Sequence, residues 1–222
     1  MVLNHIRNSL FKFRLNIIGG YNAKKYWKAR HKKYGFDIRG VGNKNLTNKE
    51  NELQYKEAHK TFLSICKQNN VDFSRISVLD IGCGSGYYTK IFWERNCVNY
   101  TGIDITDVLF DELKKRYPRY KFEKLNITTE KLKNCYDLII MIDVTQHITT
   151  EKKFKFAMNN VKKHLNKNGM FIVTSWLNKS KKNSFYEKSR SIGNYKECFK
   201  SVKFGSPIKY RDKFIFTIKQ SA

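Results

Sequence analysis

Proline is nearly absent from this chain: 222 residues contain two, Pro118 and Pro207. No Pro/Gly/Ser-rich stretch marks a flexible linker, and a chain of this length fits one domain with extensions. Cysteine is sparse and unpatterned. Cys66, Cys83, Cys97, Cys135 and Cys198 form no C-x-x-C pair, and the five histidines supply no H-x-x-x-H spacing. No structural metal is expected, and the thiols read as reduced, in a cytoplasmic protein. Acidic residues are few, 19 against 44 Lys and Arg, for a net charge of +25. Such a field attracts nucleic acid, anionic membrane or phosphorylated ligands. The basic residues are scattered, however, and Lys, Asn, Ile, Tyr and Phe are enriched together, so a solvated lysine-rich surface accounts for most of the charge. Long apolar runs are missing from the N-terminus. Leu3, Ile6, Leu10, Phe13 and Ile17 form one helical stripe, but Arg7, Lys12 and Arg14 interrupt it. Neither a signal peptide nor a membrane span is expected. The stripe is expected to pack on its own domain or a partner subunit, with membrane-surface contact through residues 1–18 as the alternative.

What is present is a regular alternation of patterns. Residues 22–70 read as mostly helical, with an aromatic and basic patch at Tyr26, Trp27 and Arg30 and a loop at Gly40-Val41-Gly42-Asn43. A longer helix covers 51–66, with Leu53, Ala58, Phe62 and Ile65 on or near one face. From residue 76 the spacing predicts strands over 76–81, 98–104, 120–125, 136–143 and 170–174. Helices alternate with them: one through Lys90 and Trp93, one over 108–117 stopped by Pro118, and one over 151–165 stopped by Asn168-Gly169. The last has Phe154, Ala157, Met158, Val161 and Leu165 inward. The row Leu138-Ile139-Ile140-Met141-Ile142 marks a strand covered on both faces, as in a parallel sheet. The alternation implies a doubly wound α/β sheet. In the tail, 201–204 and 213–218 look like two strands with no helix between them, a hairpin-like pair closing the sheet.

The densest chemical signal is Val78-Leu79-Asp80-Ile81-Gly82-Cys83-Gly84-Ser85-Gly86-Tyr87-Tyr88-Thr89. A strand runs into three glycines at alternate positions and then into a helix, as needed where the main chain turns tightly against a ligand. Tyr87 stands where a dinucleotide enzyme carries its last glycine, which disfavours nicotinamide or flavin chemistry. Asp80 precedes the glycines, where a carboxylate suits the amino group of an amino-acid moiety better than a diphosphate. Asp104 ends the next strand about 20 residues on, where an acidic side chain accepts bonds from both ribose hydroxyls.

This segment resembles motif I of the class I S-adenosylmethionine-dependent methyltransferases, and Thr101-Gly102-Ile103-Asp104 resembles their second motif. Leu125-Asn126-Ile127 occupies the position where the family usually has an Asp near the adenine; Asn126 departs from it. The run from Asp137 to Ile148 resembles the fourth strand and the loop that carries a histidine. The resemblance covers about residues 76–176 well and the closing strands loosely. It implies a Rossmann-like, mostly parallel seven-stranded sheet with an antiparallel last strand. Tyr26-Trp27-Lys28-Ala29-Arg30 resembles a Tyr-Trp-x-x-Arg lid over the cofactor, its Arg pairing with the methionine carboxylate; helix packing is the alternative. Residues 1–70 then form a helical extension and lid, and 71–222 the core. The implied cofactor set is Tyr26, Trp27, Arg30, Asp80, Gly82, Gly84, Gly86, Asp104, Ile105, Asn126, Ile127 and Asp143, with no metal.

Methyl transfer requires alignment of nucleophile, methyl and sulfur, and a hydroxyl acceptor usually also needs a base. Asp143 and His147, just beyond the fourth strand, are the candidates. Residues 175–190, with Trp176, Phe185, Tyr186 and several lysines, are expected to face the acceptor. The leading reading is O-methylation of a small molecule or glycan. The alternative is an RNA methyltransferase using the basic surface, although no Asn/Asp-Pro-Pro-aromatic motif for base amino groups occurs.

Overall fold

In the computed structural model, which describes residues 20–43, 46–177 and 180–220, the expected strands form one sheet. They are β1 (Ser77–Ile81), β2 (Asn99–Asp104), β3 (Lys121–Lys124), β4 (Tyr136–Met141) and β5 (Leu165–Ser175), all parallel. The chain lays β1, β2 and β3 side by side, then returns to place β4 on the other flank of β1. The order is β3-β2-β1-β4-β5-β10-β8, with β8 at Val202–Phe204 and β10 at Lys213–Gln220. Because the strand order reverses between β1 and β4, the loops after them diverge and leave a crevice at their carboxyl ends. The stripe at 3–17, and any membrane contact of residues 1–18, lie outside the described residues. Among those described, no helix is long and apolar enough to cross a membrane.

The unbroken apolar row of β4 is split by the strand period of two. Leu138, Ile140 and Ile142 join a core with Phe62, Phe92 and Leu113, contributed by α2 (Asn48–Gln68), α3 (Tyr87–Trp93) and α4 (Phe110–Arg116). Ile139 and Met141 face the opposite layer, with Phe154, Met158 and Val161 of α5 (Glu151–Lys163) and Tyr195 of α6 (Ile192–Cys198). Helices thus cover both faces. The first described helix, α1 (Ala23–Tyr34), lies across the carboxyl edge of the sheet, where its Trp27 and His31 line the crevice.

Several boundaries differ from the sequence pattern. α2 begins at Asn48, before the expected 51, because Thr47 and Glu50 form a reciprocal capping box: Glu50 N–H donates to Thr47 Oγ1 at 3.2 Å and Thr47 N–H to Glu50 Oε2 at 2.8 Å. Leu53, expected near the buried face, is 63% exposed. α5 stops at Lys163, and Leu165, expected inward on that helix, pairs with Tyr136 as the first residue of β5. Asn168-Gly169 is a bulge inside β5, with Asn168 at a φ of 63°, rather than a helix stop. The main path has the expected seven strands, β10 running antiparallel to both neighbours, and an eighth, β9 (Ile208–Tyr210), pairs with β10 alone. Residues 182–188, expected as loop, form a hairpin of β6 (Lys182–Ser184) and β7 (Glu187–Lys188) that turns at Phe185-Tyr186.

Phe62 is fully buried, with Tyr88 and Phe92 ring centroids at 5.1 and 5.9 Å. Phe62→Ala is expected to destabilise the fold by about 3–5 kcal/mol, whereas Leu53→Ala on the same helix should stay within about 0.5 kcal/mol of the parent. Denaturant melts of the two variants check this, and equal losses would contradict the assigned faces of α2.

Candidate active site

The site is built on the turn after β1. Gly82, Gly84 and Gly86 have φ of 78°, 52° and 81°, in the region that L side chains rarely adopt. A side chain at Gly82 would run into Val144, and one at Gly84 into Val41. Gly82 and Cys83 N–H donate to the Ile103 carbonyl at 2.7 and 3.1 Å, which ties the turn to the end of β2. Gly86 is not on the crevice wall; it starts α3 and packs under Leu113.

Beyond the turn lies a cavity of about 470 Å³. Its floor at one end is Asp104, which closes β2. Asp104 Oδ1 accepts the Thr106 N–H at 3.0 Å and Oδ2 the Gly84 N–H at 3.2 Å, so the buried carboxylate has a fixed orientation. Burial raises this carboxyl, with His31 opposing the rise; His31 is in turn pushed down by burial and pulled back by Asp104. His31, from α1, sits 3.1 Å from Thr106 Oγ1 through Nδ1. Ile105, Asn126 and Ile127 complete this end of the wall. Asn126 spends its side-chain oxygen on the Thr128 N–H and hydroxyl at 3.1 and 2.7 Å, an Asx turn that leaves only its amino group for a ligand.

α1 forms the roof. Asn22 caps it by accepting the Lys25 N–H at 3.0 Å. Of the Tyr-Trp-x-x-Arg element only Trp27 reaches the cavity, between His31 at 5.7 Å and His147 at 4.9 Å, centroid to centroid. Tyr26 is buried and stacked on Tyr186 at 5.0 Å. Arg30, expected against a carboxylate, bonds the Arg39 and Gly42 carbonyls at 2.8 and 2.6 Å and lies over the Trp27 ring. Its guanidinium ties the 39–42 loop to the roof and is absent from the cavity wall.

The far end is formed by the loop after β4. Asp143 has a φ of 59°, its N–H donates to Thr174 Oγ1 at 2.8 Å, and its carboxylate meets Arg211 at 2.7 Å and Lys213 at 3.0 Å. Burial alone would raise this carboxyl; the two cations override it and hold it at about 2. His147 stands on a 3-10 turn (Thr145–His147), its Nδ1 3.1 Å from the Tyr186 carbonyl and its ring parallel to Tyr186 at 5.5 Å. A carbonyl only accepts, so Nδ1 carries the hydrogen and Nε2 the lone pair. Burial pushes the imidazole down to about 4. The turn itself is held by Arg190, a fully buried guanidinium that bonds the Thr145 and Ile148 carbonyls and lies 4.1 Å over Phe154. Tyr195 adds a bond to Thr145 Oγ1 at 3.0 Å. Arg190, Arg211, Lys213 and His31 gave no signal in the sequence, because basic residues are everywhere in it and their partners lie 40 to 75 positions away.

Asp80, expected against a cationic amino group, does not reach the cavity. It is buried behind the glycine turn and accepts the Tyr100 hydroxyl at 2.8 Å. Burial pushes its carboxyl up to about 7, with Asp104 adding to the rise and the Tyr100 bond opposing it. A carboxyl raised on folding makes the native state hold its proton more tightly. Its contribution is therefore fully present below the unfolded value near 3.8 and is lost as pH climbs to about 7. The loss is on the order of 4 kcal/mol. Asp80→Asn removes it, so the melting temperature of this variant relative to the parent should rise from pH 4 to pH 8; a constant difference would exclude the effect.

Residues 79–171 match a family model described as a methyltransferase domain. The ubiquinone biosynthesis O-methyltransferase of Rickettsia prowazekii (strain Madrid E) is 29% identical over 120 residues, 52% of this chain and 46% of that protein. The chain spans about half the length of the curated relatives it matches. Among solved structures, magnesium protoporphyrin IX methyltransferase from Synechocystis PCC 6803, with bound S-adenosylmethionine, superposes with a TM-score of 0.69 at 14% identity, over 91% of this chain and 99% of that one. The Burkholderia thailandensis 1,6-didemethyltoxoflavin-N1-methyltransferase superposes with a TM-score of 0.62 at 12% identity, over 93% and 94%. The shared fold therefore extends over most of the chain. Over residues 79–171 the sequence is similar to the methyltransferase-domain family, and over most of its length the chain has the fold of these solved S-adenosylmethionine-dependent methyltransferases.

Proposed function

We propose that the protein is an S-adenosylmethionine-dependent O-methyltransferase acting on a small molecule or a glycan, in the cytoplasm. The observation that carries this reading is that a single cavity runs from the fixed carboxylate of Asp104 to the neutral imidazole of His147, roofed by Trp27. The residues fit the cofactor. Asp104 presents a buried, oriented acceptor for ribose hydroxyls, Gly82 and Gly84 keep side chains out of the turn, and Ile105 and Ile127 offer apolar contact for a base. When bound, that cofactor supplies an electrophilic methyl group on a sulfonium.

The chain's own residues do the rest. Trp27 and its helix cover the cavity and exclude water. Asp143 is not the base: two cations engage its carboxylate, and a carboxyl held at about 2 has little proton affinity. It fixes the β4 loop instead. His147 is the base in this proposal, its Nε2 lone pair accepting the acceptor's hydroxyl proton. A weak base suffices, because that proton becomes strongly acidic as the carbon–oxygen bond forms. A hydroxyl as the methylated group agrees with the O-methyltransferase relative. The same cavity disfavours RNA as acceptor. One residue in five of the chain is Lys or Arg, yet among the described residues Lys24 and Lys153 are the only two on the cavity wall. A strand-binding groove would concentrate cations there. The cytoplasmic placement rests on five free thiols, four of them buried. In this reading residues 1–70 supply the roof and its support, and 71–222 the core.

Calorimetry with S-adenosylhomocysteine tests the cofactor end. Asp104→Ala should weaken binding by about 10- to 100-fold, since each lost charge-assisted bond contributes about 1.5–3 kcal/mol. Saturation of the parent by a nicotinamide or flavin coenzyme instead would sink the proposal. His147 is tested by rate. His147→Ala should lower kcat by about 10²-fold or more with S-adenosylhomocysteine affinity kept within about twofold. The parent's rate should be level from pH 6 to 8 and fall only as pH approaches about 4, where the base becomes protonated. An inflection near the ordinary histidine value would rule out a buried neutral base.

A further inference from the structure

Tyr21 lies just ahead of α1, lines the cavity, and buries a hydroxyl that has no hydrogen-bond partner among the described residues. Buried polar groups left in this state destabilise a fold and call for an explanation. The ring is fixed on three sides, by Tyr26 at 5.9 Å, Phe185 at 6.2 Å and Tyr186 at 6.3 Å between centroids. The Trp27 indole is beside the hydroxyl, but an indole N–H only donates, so it leaves the phenolic hydrogen without an acceptor. Burial keeps the phenol protonated far above its ordinary range. Tyr21 is thus a rigid donor with no acceptor among the described residues.

α1 shows which end of the cavity it serves. His31, near the end of the helix, faces Asp104 through Thr106. Trp27, one turn earlier, sits between His31 and His147. Tyr21, before the first turn, meets Phe185 and Tyr186, and it is the Tyr186 carbonyl that orients His147. Tyr21 therefore belongs to the His147 end, away from the ribose-binding carboxylate. The wall there includes the rings of Tyr21, Trp27 and His147 and the aliphatic Ile148, with Thr149, Thr150 and Lys153 beside them, and its rings suit a planar acceptor.

We propose that Tyr21 is a binding residue for the methyl acceptor, donating a hydrogen bond to a second oxygen on a planar, hydroxylated ring whose first hydroxyl faces His147. The inference rests on reading the cavity as a methyl-transfer site. It makes the acceptor a ring with neighbouring oxygens rather than a lone alcohol.

The test titrates the S-adenosylhomocysteine complex with catechol and with phenol, for the parent and for Tyr21→Phe. The parent should bind catechol at least fivefold more tightly than phenol, and the variant should bind both alike, with S-adenosylhomocysteine affinity changed by less than twofold. The ligand-free variant should melt within about 4 °C of the parent, because it keeps all three ring contacts and loses only the oxygen that faces the Trp27 indole. Equal affinity of the parent for the two probes, an undiminished preference in the variant, no binding of either probe, or a larger drop in melting temperature would each overturn the proposal. If the parent fails to bind S-adenosylhomocysteine at all, the methyltransferase reading falls and takes this inference with it; binding of that ligand without discrimination between probes removes only Tyr21's role.

Discussion

The two loops at the reversal of the sheet touch each other, and the rest of the site depends on that contact. Gly82 turns at positive φ directly beneath Val144, leaving no room for a side chain between them. Val144 lies between Asp143, clamped by Arg211 and Lys213, and the 3-10 turn that carries His147. The turn that would cradle a cofactor and the turn that presents the candidate base are therefore one packed unit. Close packing transmits small displacements rather than absorbing them, so a methyl group at position 82 would move the acceptor end as well as the cofactor end.

A second constraint is the use of a few cations inside a chain that has many outside. Arg190 is fully buried, and Arg211 and Lys213 nearly so. Desolvating such groups costs several kcal/mol each, and pairing does not guarantee a net gain. What they secure is geometry. Asp143 adopts a backbone conformation that carries a cost of about 1–3 kcal/mol outside glycine, and it keeps it because Thr174 holds its amide and two cations hold its carboxylate. Arg190 does the same for the carbonyls on either side of His147. Both clamps come from segments after β5, so the C-terminal third of the chain determines how the loop after β4 is presented.

This division explains what could be read from the sequence. The strands, the glycine turn and Asp104 are local patterns: a period of two, a spacing of glycines, a carboxylate at a strand end. The hairpin at 182–188 leaves no such local pattern, because its strands are two and three residues long and rich in charge, and it is defined by Phe185 and Tyr186 reaching back to Tyr21 and Tyr26. The Tyr-Trp-x-x-Arg element is visible as a motif, but which of its members faces the cavity depends on helix rotation against residues over 100 positions away. Trp27 turns inward while Arg30 turns to the 39–42 loop. Asp80 shows the same limit from the other side. Its position before the glycines is legible, whereas its burial against Tyr100 follows from how β1 and β2 pair.

The charge of +25 can now be placed in relation to the chemistry. Among the described residues most Lys and Arg side chains are exposed, and the cavity wall is poor in cations compared with the chain as a whole. At physiological ionic strength, exposed charges separated by more than about 8 Å are largely screened, so a surface of this kind acts on solubility and on encounter with polyanions more than on an acceptor already inside the cavity. Selection within the cavity falls instead to rings and to a few oriented polar atoms, namely the Asp104 carboxylate, the His147 lone pair and the Tyr21 hydroxyl. The first two are satisfied or positioned by the protein itself. The third is held by its ring contacts but has no acceptor among the described residues, and under the proposal it is this donor, at the same end of the cavity as the candidate base, that sets a preference neither the fold nor the net charge could supply.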